Sequence, residues 1–426
     1  MNIKSNIIEF KFIAPAMVLI YLFVAMFTHA ITGDKTHITS AWLASGAMFG
    51  VFMVAPRNCW AAILAGTWAA SMAWALTERG LSSVEAVVFS LIDPLSVLAG
   101  VTVAAGIARG HRNTLRETGG LIAGSTITGL LGATLTVQLG HWLSPAFQHN
   151  DGGRAWACSS VVGVLIVAPV LLGFNDFRVK RSGGMSMRQF RTGAVLFSTF
   201  IAVTWIVFSG DTLRRFGAFA AASAYLPPPL LLLTAFQWGS SGGAFTTLVG
   251  ALVVIGLTTS GGGPFHISLE IGDAALIEAM IYVSVWTIVT LLMQGIVNER
   301  FATLIDEKSC QFRYQQIMEA ASIASVEFDV ATGEAIWSDN ATSVLGSDKV
   351  MQASFSNWTE WIDPIDKLRA EKSLITVRQG LQCKVTEILH PRNAFYPTIE
   401  VTFAAVHGPD GAVEKVAGLF RTAQIA

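Results

Sequence analysis

Charge is what this 426-residue chain has least of. Only 13% of its residues are Asp, Glu, Lys or Arg, about half of the ~25% carried by a soluble globular domain. Most of the chain therefore has too little polar surface to face water. The two signs nearly cancel, leaving a net charge of −1, so the basic stripe of a nucleic-acid binder is excluded. Cysteine is scarce as well. The four present (Cys59, Cys158, Cys310 and Cys383) lie far apart, with no Cys-x-x-Cys pair and no histidine at ligand spacing. Neither a disulfide framework nor a zinc site is indicated. No cleavable leader is expected either, because the first apolar run is long and lacks a small-residue cleavage pattern after a short core. What the chain does have is apolar residues, at 52%.

Those residues are unevenly spread. Up to about Val297 long apolar runs alternate with short polar joints, and from Asn298 onward the composition is that of ordinary soluble protein. The predicted organisation is an integral membrane domain over 1–297, a helical signalling linker over 298–320 and a soluble domain over 321–426. A spanning helix needs roughly 20 mostly apolar residues. Ten segments qualify: 10–30, 38–55, 59–76, 84–108, 119–139, 155–174, 192–208, 218–236, 244–258 and 274–297. The eighth carries Pro227, Pro228 and Pro229, which are predicted to kink or break it, and the ninth is short and glycine-rich, so the count is eight to ten. With the N-terminus inside, thirteen Lys and Arg fall in inner segments against five in outer ones. The positive-inside rule then puts both termini in the cytoplasm.

Polar groups within apolar runs are the usual functional suspects in a membrane. Asp93 sits mid-span beside Pro94, and its expected partners are backbone groups freed near Pro94 or polar residues of a neighbouring segment such as Thr128 or Thr134. Glu278 reads as an interfacial cap, and Gln138 lies near an outer helix end. Of the outward-facing histidines, His29, His37, His141 and His149 are weak candidates for a metal, since no pair has ligand spacing. Small residues such as Ala65-Gly66-Thr67 and Gly129 through Ala133 suit a closely packed bundle.

Several stretches taken together are similar to one family. Trp42-Leu43-Ala44-Ser45-Gly46, Pro56-Arg57-Asn58-Cys59-Trp60 and Gly66 resemble the opening helices of the first membrane-associated sensor family, MASE-one. Trp156 through Leu165, ending at Pro169, resembles its central helix. Tyr225 through Leu231 with Trp238-Gly239 resembles its Pro-rich helix, and Gly262-Gly263-Pro264-Phe265 and Asn298-Glu299-Arg300 also agree. The resemblance spans about residues 13–300. It implies a bacterial inner-membrane sensor, with Trp156, Ser160 and Pro227–Pro229 joining Asp93 as candidate sensing residues. One departure stands out: the family usually has Gly-Asp where this chain has Ser159-Ser160. If that acid takes part in sensing, the stimulus of this chain is changed or lost.

In the soluble part, segments 325–330 and 335–338 alternate like strands around the turn Ala331-Thr332-Gly333-Glu334. A helix over 365–379 follows, started by Asp363-Pro364, and then strands over 381–390, 396–406 and 413–421. The expected fold is α+β, with a five-stranded antiparallel sheet. Trp337-Ser338-Asp339, and Trp358 and Trp361 followed by Pro364 and Asp366, resemble the signatures of a PAS domain. No flavin or haem is expected, because no flavin-reactive cysteine helix is present, the long helix lacks histidine, and Cys383 reads as a core residue on a strand. No cyclase, phosphodiesterase, kinase or helix-turn-helix motif follows, so catalysis is not expected of this chain. The resemblances imply a sensory protein that relays a membrane or extracytoplasmic stimulus to an unidentified cytosolic partner or to a lost effector, in a two-component or cyclic-di-GMP pathway of diguanylate cyclase or histidine kinase type. They imply a homodimer formed through the linker and PAS domain. A transporter or channel regulated by that domain is the alternative.

Overall fold

A computed structural model describes residues 3–32, 41–78, 82–108, 114–143, 151–175, 186–210, 212–267, 272–345, 358–391, 398–409 and 411–423. The chain divides into two compact units, Met1–Phe301 and Ala302–Ala426.

The first unit is a helical bundle. Its elements are α1 (Ile3–Thr32), α2 (Leu43–Val54), α3 (Trp60–Thr77), α4 (Ser83–Ala108), α5 (Thr114–Leu143), α6 (Asp151–Asn175) and α7 (Met187–Phe208). The short α8 (Thr212–Phe216) and α9 (Ala220–Ser223) lead to α10 (Pro227–Thr259) and α11 (Gly272–Ala320). Eight helices among the described residues are long and apolar enough to cross a membrane, and α2 is a shorter apolar helix of 12 residues. α11 runs unbroken for 49 residues.

Glycine sets how closely these helices approach. A Cβ at Gly46 of α2 would strike the carbonyl oxygen of Gly163 in α6, and one at Gly163 would strike the carbonyl oxygen of Trp42. Further along, Gly50 lies against Ala168 and Leu171. Both sequences rise together, so α2 and α6 lie parallel, backbone against backbone. Gly100 of α4 meets Gly124 of α5, and Gly120 meets Ala104, which makes that pair antiparallel. Gly66 and Gly129, expected at close contacts, lie against Ala14 and Ala157 respectively. Such approaches replace the hydrophobic driving force that lipid cannot supply between helices.

The three prolines do not break a span. They occupy the first turn of α10, where missing backbone donors cost nothing and a fixed φ favours helix. The break falls at Gly239, with φ 70° and ψ −166°, a conformation open to glycine alone. A Cβ on Gly243 would lie 2.9 Å from the Cβ of Ala235. Residues eight apart in a straight helix are separated by ~12 Å along its axis. The chain therefore folds back on itself at Gly239, and α10 is two antiparallel limbs. Ser241 donates to the Gly173 carbonyl at 2.8 Å, and Gln294 donates to the Gly239 carbonyl at 3.3 Å, anchoring the turn.

The second unit is α+β. β1 (Ile323–Asp329), β2 (Ala335–Trp337), β3 (Lys384–Leu389), β4 (Ile399–His407) and β5 (Val413–Thr422) form one antiparallel sheet in the order β2-β1-β5-β4-β3. α12 (Ala341–Leu345) and α13 (Pro364–Arg378) pack on one face, around a core of Val326, Phe328, Leu374, Phe403 and Phe420. α13 starts as its sequence directs, with the Asp363 carboxylate accepting from the Ile365 amide at 2.9 Å and Pro364 in the first helical position.

The glycine contacts make a direct test. Gly163→Val places a branched side chain against the Trp42 carbonyl and should cost at least ~1–3 kcal/mol of overpacking, lowering folded yield and melting temperature. Gly106→Ala, where an added Cβ meets nothing within 4 Å, should leave both unchanged. Size-exclusion profiles and thermal melts of the two purified variants check this.

Candidate functional site

Asp93 lies in the third turn of α4 and is 1% exposed. A carboxylate at bilayer depth costs about 2.5–3.5 kcal/mol on insertion scales, so this one must find donors inside the protein. It has three. The hydroxyl of Tyr21 in α1 and the indole N–H of Trp42 both donate to Oδ2 at 3.1 Å, and the hydroxyl of Ser45 in α2 donates to Oδ1. Trp42 is the residue that precedes α2, and its amide donates to the Ser159 carbonyl of α6 at 3.1 Å. The carboxylate thus ties α1, α2 and α4 directly, and α6 through Trp42. Ser96 covers the Asp93 main-chain carbonyl at 2.9 Å, and α4 continues through Pro94. The two expected threonines are not among the partners found. Thr128 and Thr134 donate to the carbonyls of Gly124 and Leu131 in their own helix.

Beside the carboxylate is a small cavity of about 20 Å³, walled by Tyr21, Trp42, Trp74, Phe89 and Trp156, with Ser71, Ala75 and Ser90 completing it. The rings form a chain: Tyr21 to Trp42 at 6.2 Å, Trp42 to Trp74 at 6.1 Å, and Trp74 to His29 at 5.9 Å. Trp42 opens α2, Trp74 lies three residues from the end of α3 and Trp156 lies in the first turns of α6. The cavity therefore sits toward one end of the bundle, which the sequence assigns to the outer face.

The structure brings Asp93 and Trp156 to one cavity. Ser160 is buried one turn beyond Trp156, and its neighbour Ser159 holds Trp42 through the main chain. Pro227–Pro229 do not line the cavity and serve to open α10. Glu278 and Gln138 are exposed. Of the histidine candidates, His29 packs edge-on against Trp74. His37 and His149 lie outside the described residues, as does the side chain of His141. No group of three metal-ligating side chains occurs among the described residues. Sequence reasoning missed Tyr21, Ser45 and Trp42 as donors. Two of them were in view within Trp42-Leu43-Ala44-Ser45-Gly46, and Tyr21 is the one tyrosine in the first apolar run.

In the second unit the singled-out residues do structural work. Trp337 is buried, 5.5 Å from Phe420. Ser338 accepts from the Ser325 amide at 2.9 Å and donates to Asn340, whose amide reaches the Ile323 carbonyl at 2.8 Å. This clasp holds β2 to β1, and Asp339 beside it is exposed. Trp358 and Trp361 lie on a 3-10 turn, and their side chains are outside the described set. Asp366 is a second clasp. It pairs with Arg369 of its own helix and accepts from the His390 amide at 2.9 Å, with His390 Nδ1 at 2.7 Å. Arg369 also reaches Glu387 at 3.2 Å. Burial pushes the Asp366 carboxyl up, but the His390 hydrogen bonds and the Arg369 charge outweigh it and hold the group below the usual carboxylate range. Cys383 is exposed and precedes β3 rather than sitting in a core strand. Its carbonyl accepts from Ala405, but the regular ladder begins only at Lys384.

With this geometry in hand, comparison with known proteins adds one finding: the family model described as MASE1 matches residues 13–300. No curated protein and no solved structure matches the chain.

The Asp366 clasp predicts an acid-sensitive domain. Because its folded carboxyl titrates below the unfolded value of ~3.9, its stabilisation is present above that pH and is lost as pH falls through the folded value. Asp366→Ala should destabilise the second unit by about 1–3 kcal/mol at neutral pH. The gap from wild type should close in melts run below pH ~4.

Proposed function

The chain belongs to the MASE1 family of membrane sensor domains, and from that premise we propose that it is a receptor. In this reading the bundle detects a stimulus in or outside the bilayer, and α11 carries the change to a PAS-like domain that acts on a cytosolic partner. The observation that carries the proposal is the Asp93 cluster. A buried carboxylate held by hydroxyl and indole donors from α1 and from the start of α2 is costly in a membrane, and it is poised to rearrange when its surroundings change. The reading assigns the chain no catalytic step and no flavin or haem. It keeps the PAS assignment of the second unit on its Trp-Ser-Asp and Pro-x-Asp signatures. Exposed Phe301, Leu304, Ile305, Phe312 and Ile317 along α11 support pairing of two copies through that helix.

The contact registers support ten passes between the two ends of the bundle, counting α2 and the two limbs of α10. With thirteen basic residues against five, they support both termini in the cytoplasm of a multi-pass inner-membrane protein. The bent α10 favours a second reading, since transporters use broken helices at their binding sites. The two readings differ in what the protein moves.

Reporter fusions at Ala426 and within 144–150 should report opposite sides of the membrane, and the same side would overturn the topology. Transcript profiles of cells expressing wild type should differ from those of a deletion strain. Asp93→Leu, where it reaches the membrane at normal level, should copy the deletion, while Asp93→Asn reports whether the charge matters. Identical profiles for wild type and deletion across growth conditions would defeat the receptor reading. Solute flux through reconstituted vesicles would replace it with the transporter.

A further inference from the structure

We propose that the cavity beside Asp93 binds one ammonium ion, an inference that deepens the receptor reading by naming the ligand class of its site. Sign, size and lining chemistry each narrow the choice. Among the described lining residues Asp93 is the one carboxylate and aromatic rings make up most of the others, so an anion is repelled and a cation is attracted. A cavity of about 20 Å³ holds little more than one water-sized sphere. Amino acids, choline-like ions and hydrated metal ions are all too large for it. Among bare ions of that size, potassium and sodium must replace a hydration shell with several oxygens at once. Among the described lining residues the side-chain oxygens are those of Tyr21, Ser71, Ser90 and Asp93, and the other side chains are three indoles, one phenyl ring and Ala75. Ammonium suits such a wall, because its four N–H bonds can divide between a carboxylate and ring faces. It enters as the protonated ion and no bond is made or broken.

Ammonium would also act at a junction. The groups it meets hang from α1, α3, α4 and α6 and from the start of α2, so occupancy alters the contacts of all five. An ion that neutralises the carboxylate competes for the lone pairs that hold Tyr21, Trp42 and Ser45.

The test is direct binding to the purified full-length chain in lipid nanodiscs at neutral pH, where ammonia is protonated. Thermal unfolding is followed while ammonium chloride is titrated against sodium chloride at constant ionic strength, with parallel series in potassium and choline chloride. A ligand that binds the folded state alone raises the melting temperature with saturation. The expected result is a saturable rise specific to ammonium, weakened at least tenfold in Asp93→Asn. Trp74→Leu keeps the carboxylate, removes one aromatic wall and should weaken ammonium by about three- to tenfold. It decides the matter should Asp93→Asn fail to fold. Equal behaviour of all four salts on wild type, equal saturation by potassium, or unchanged ammonium affinity in the variants would each overturn the proposal. Because binding is read on isolated protein, its failure leaves the receptor reading standing, and failure of the transcript test leaves the binding site standing.

Discussion

Everything near one end of the bundle depends on the donors that a buried carboxylate requires. Asp93 is buried and cannot be left bare, so the chain supplies a phenol from α1, a hydroxyl from α2 and an indole from the residue before it. They come from two parts of the sequence, 48 to 72 residues away. Removing any one leaves a buried acceptor short of a partner, and such a loss costs more than the bond contributes when made. That asymmetry fixes the mutual positions of α1, α2 and α4 more firmly than apolar packing could in lipid.

The glycine contacts then determine which of those elements can yield. α2 and α6 touch through backbone at Gly46 and Gly163, and α4 and α5 through Gly100 and Gly124. At these points backbone lies against backbone, which leaves little room for either pair to slide. α1 has no such seam with α2. It meets α3 at Gly66 and Ala14 and meets α2 and α4 through Tyr21, Trp42 and Asp93. The polar cluster thus joins α1 to α2 and α4 where no glycine contact does.

How much of this could be read from the sequence differs by level. Hydropathy located every apolar segment because lipid leaves so few options for a spanning chain. Pairing was hidden, because no residue announces which distant helix it will face, and so Thr128 looked as good a partner for Asp93 as Tyr21. The three prolines misled for a related reason. Proline reads as a breaker inside a helix and as a starter at its first turn, and only the position of that first turn distinguishes the two. Gly239, the true point of reversal, is one glycine among 39. In the soluble unit, alternation and turn residues fixed the strands. The roles of Ser338 and Asp366 as clasps depended on Asn340 and His390, which no local pattern singles out.

A route from the cavity toward α11 follows from the packing. Leu43, next to Trp42, and Val162, two turns beyond Trp156, belong to one buried cluster with Phe200, Leu231, Val254, Met280 and Trp286. Phe200 lies 5.9 Å from Trp286, and Trp286 lies 5.1 Å from Tyr282, whose hydroxyl donates to the Ala224 carbonyl. Interiors packed this closely transmit displacement because they have few voids to absorb it. A shift of Trp42, whether from a ligand at Asp93 or from a change in the bilayer, must therefore be met by the α7, α10 and α11 side chains across the cluster. α11 is the one element of that cluster that continues beyond the bundle, without a proline, as far as Ala320. A helix has a stiff hydrogen-bonded backbone, so rotation or translation imposed at Trp286 reaches the residues beyond Val297 with little loss. In the receptor reading the transmitting element is α11, because the helix that closes the membrane core is itself the one that leaves it.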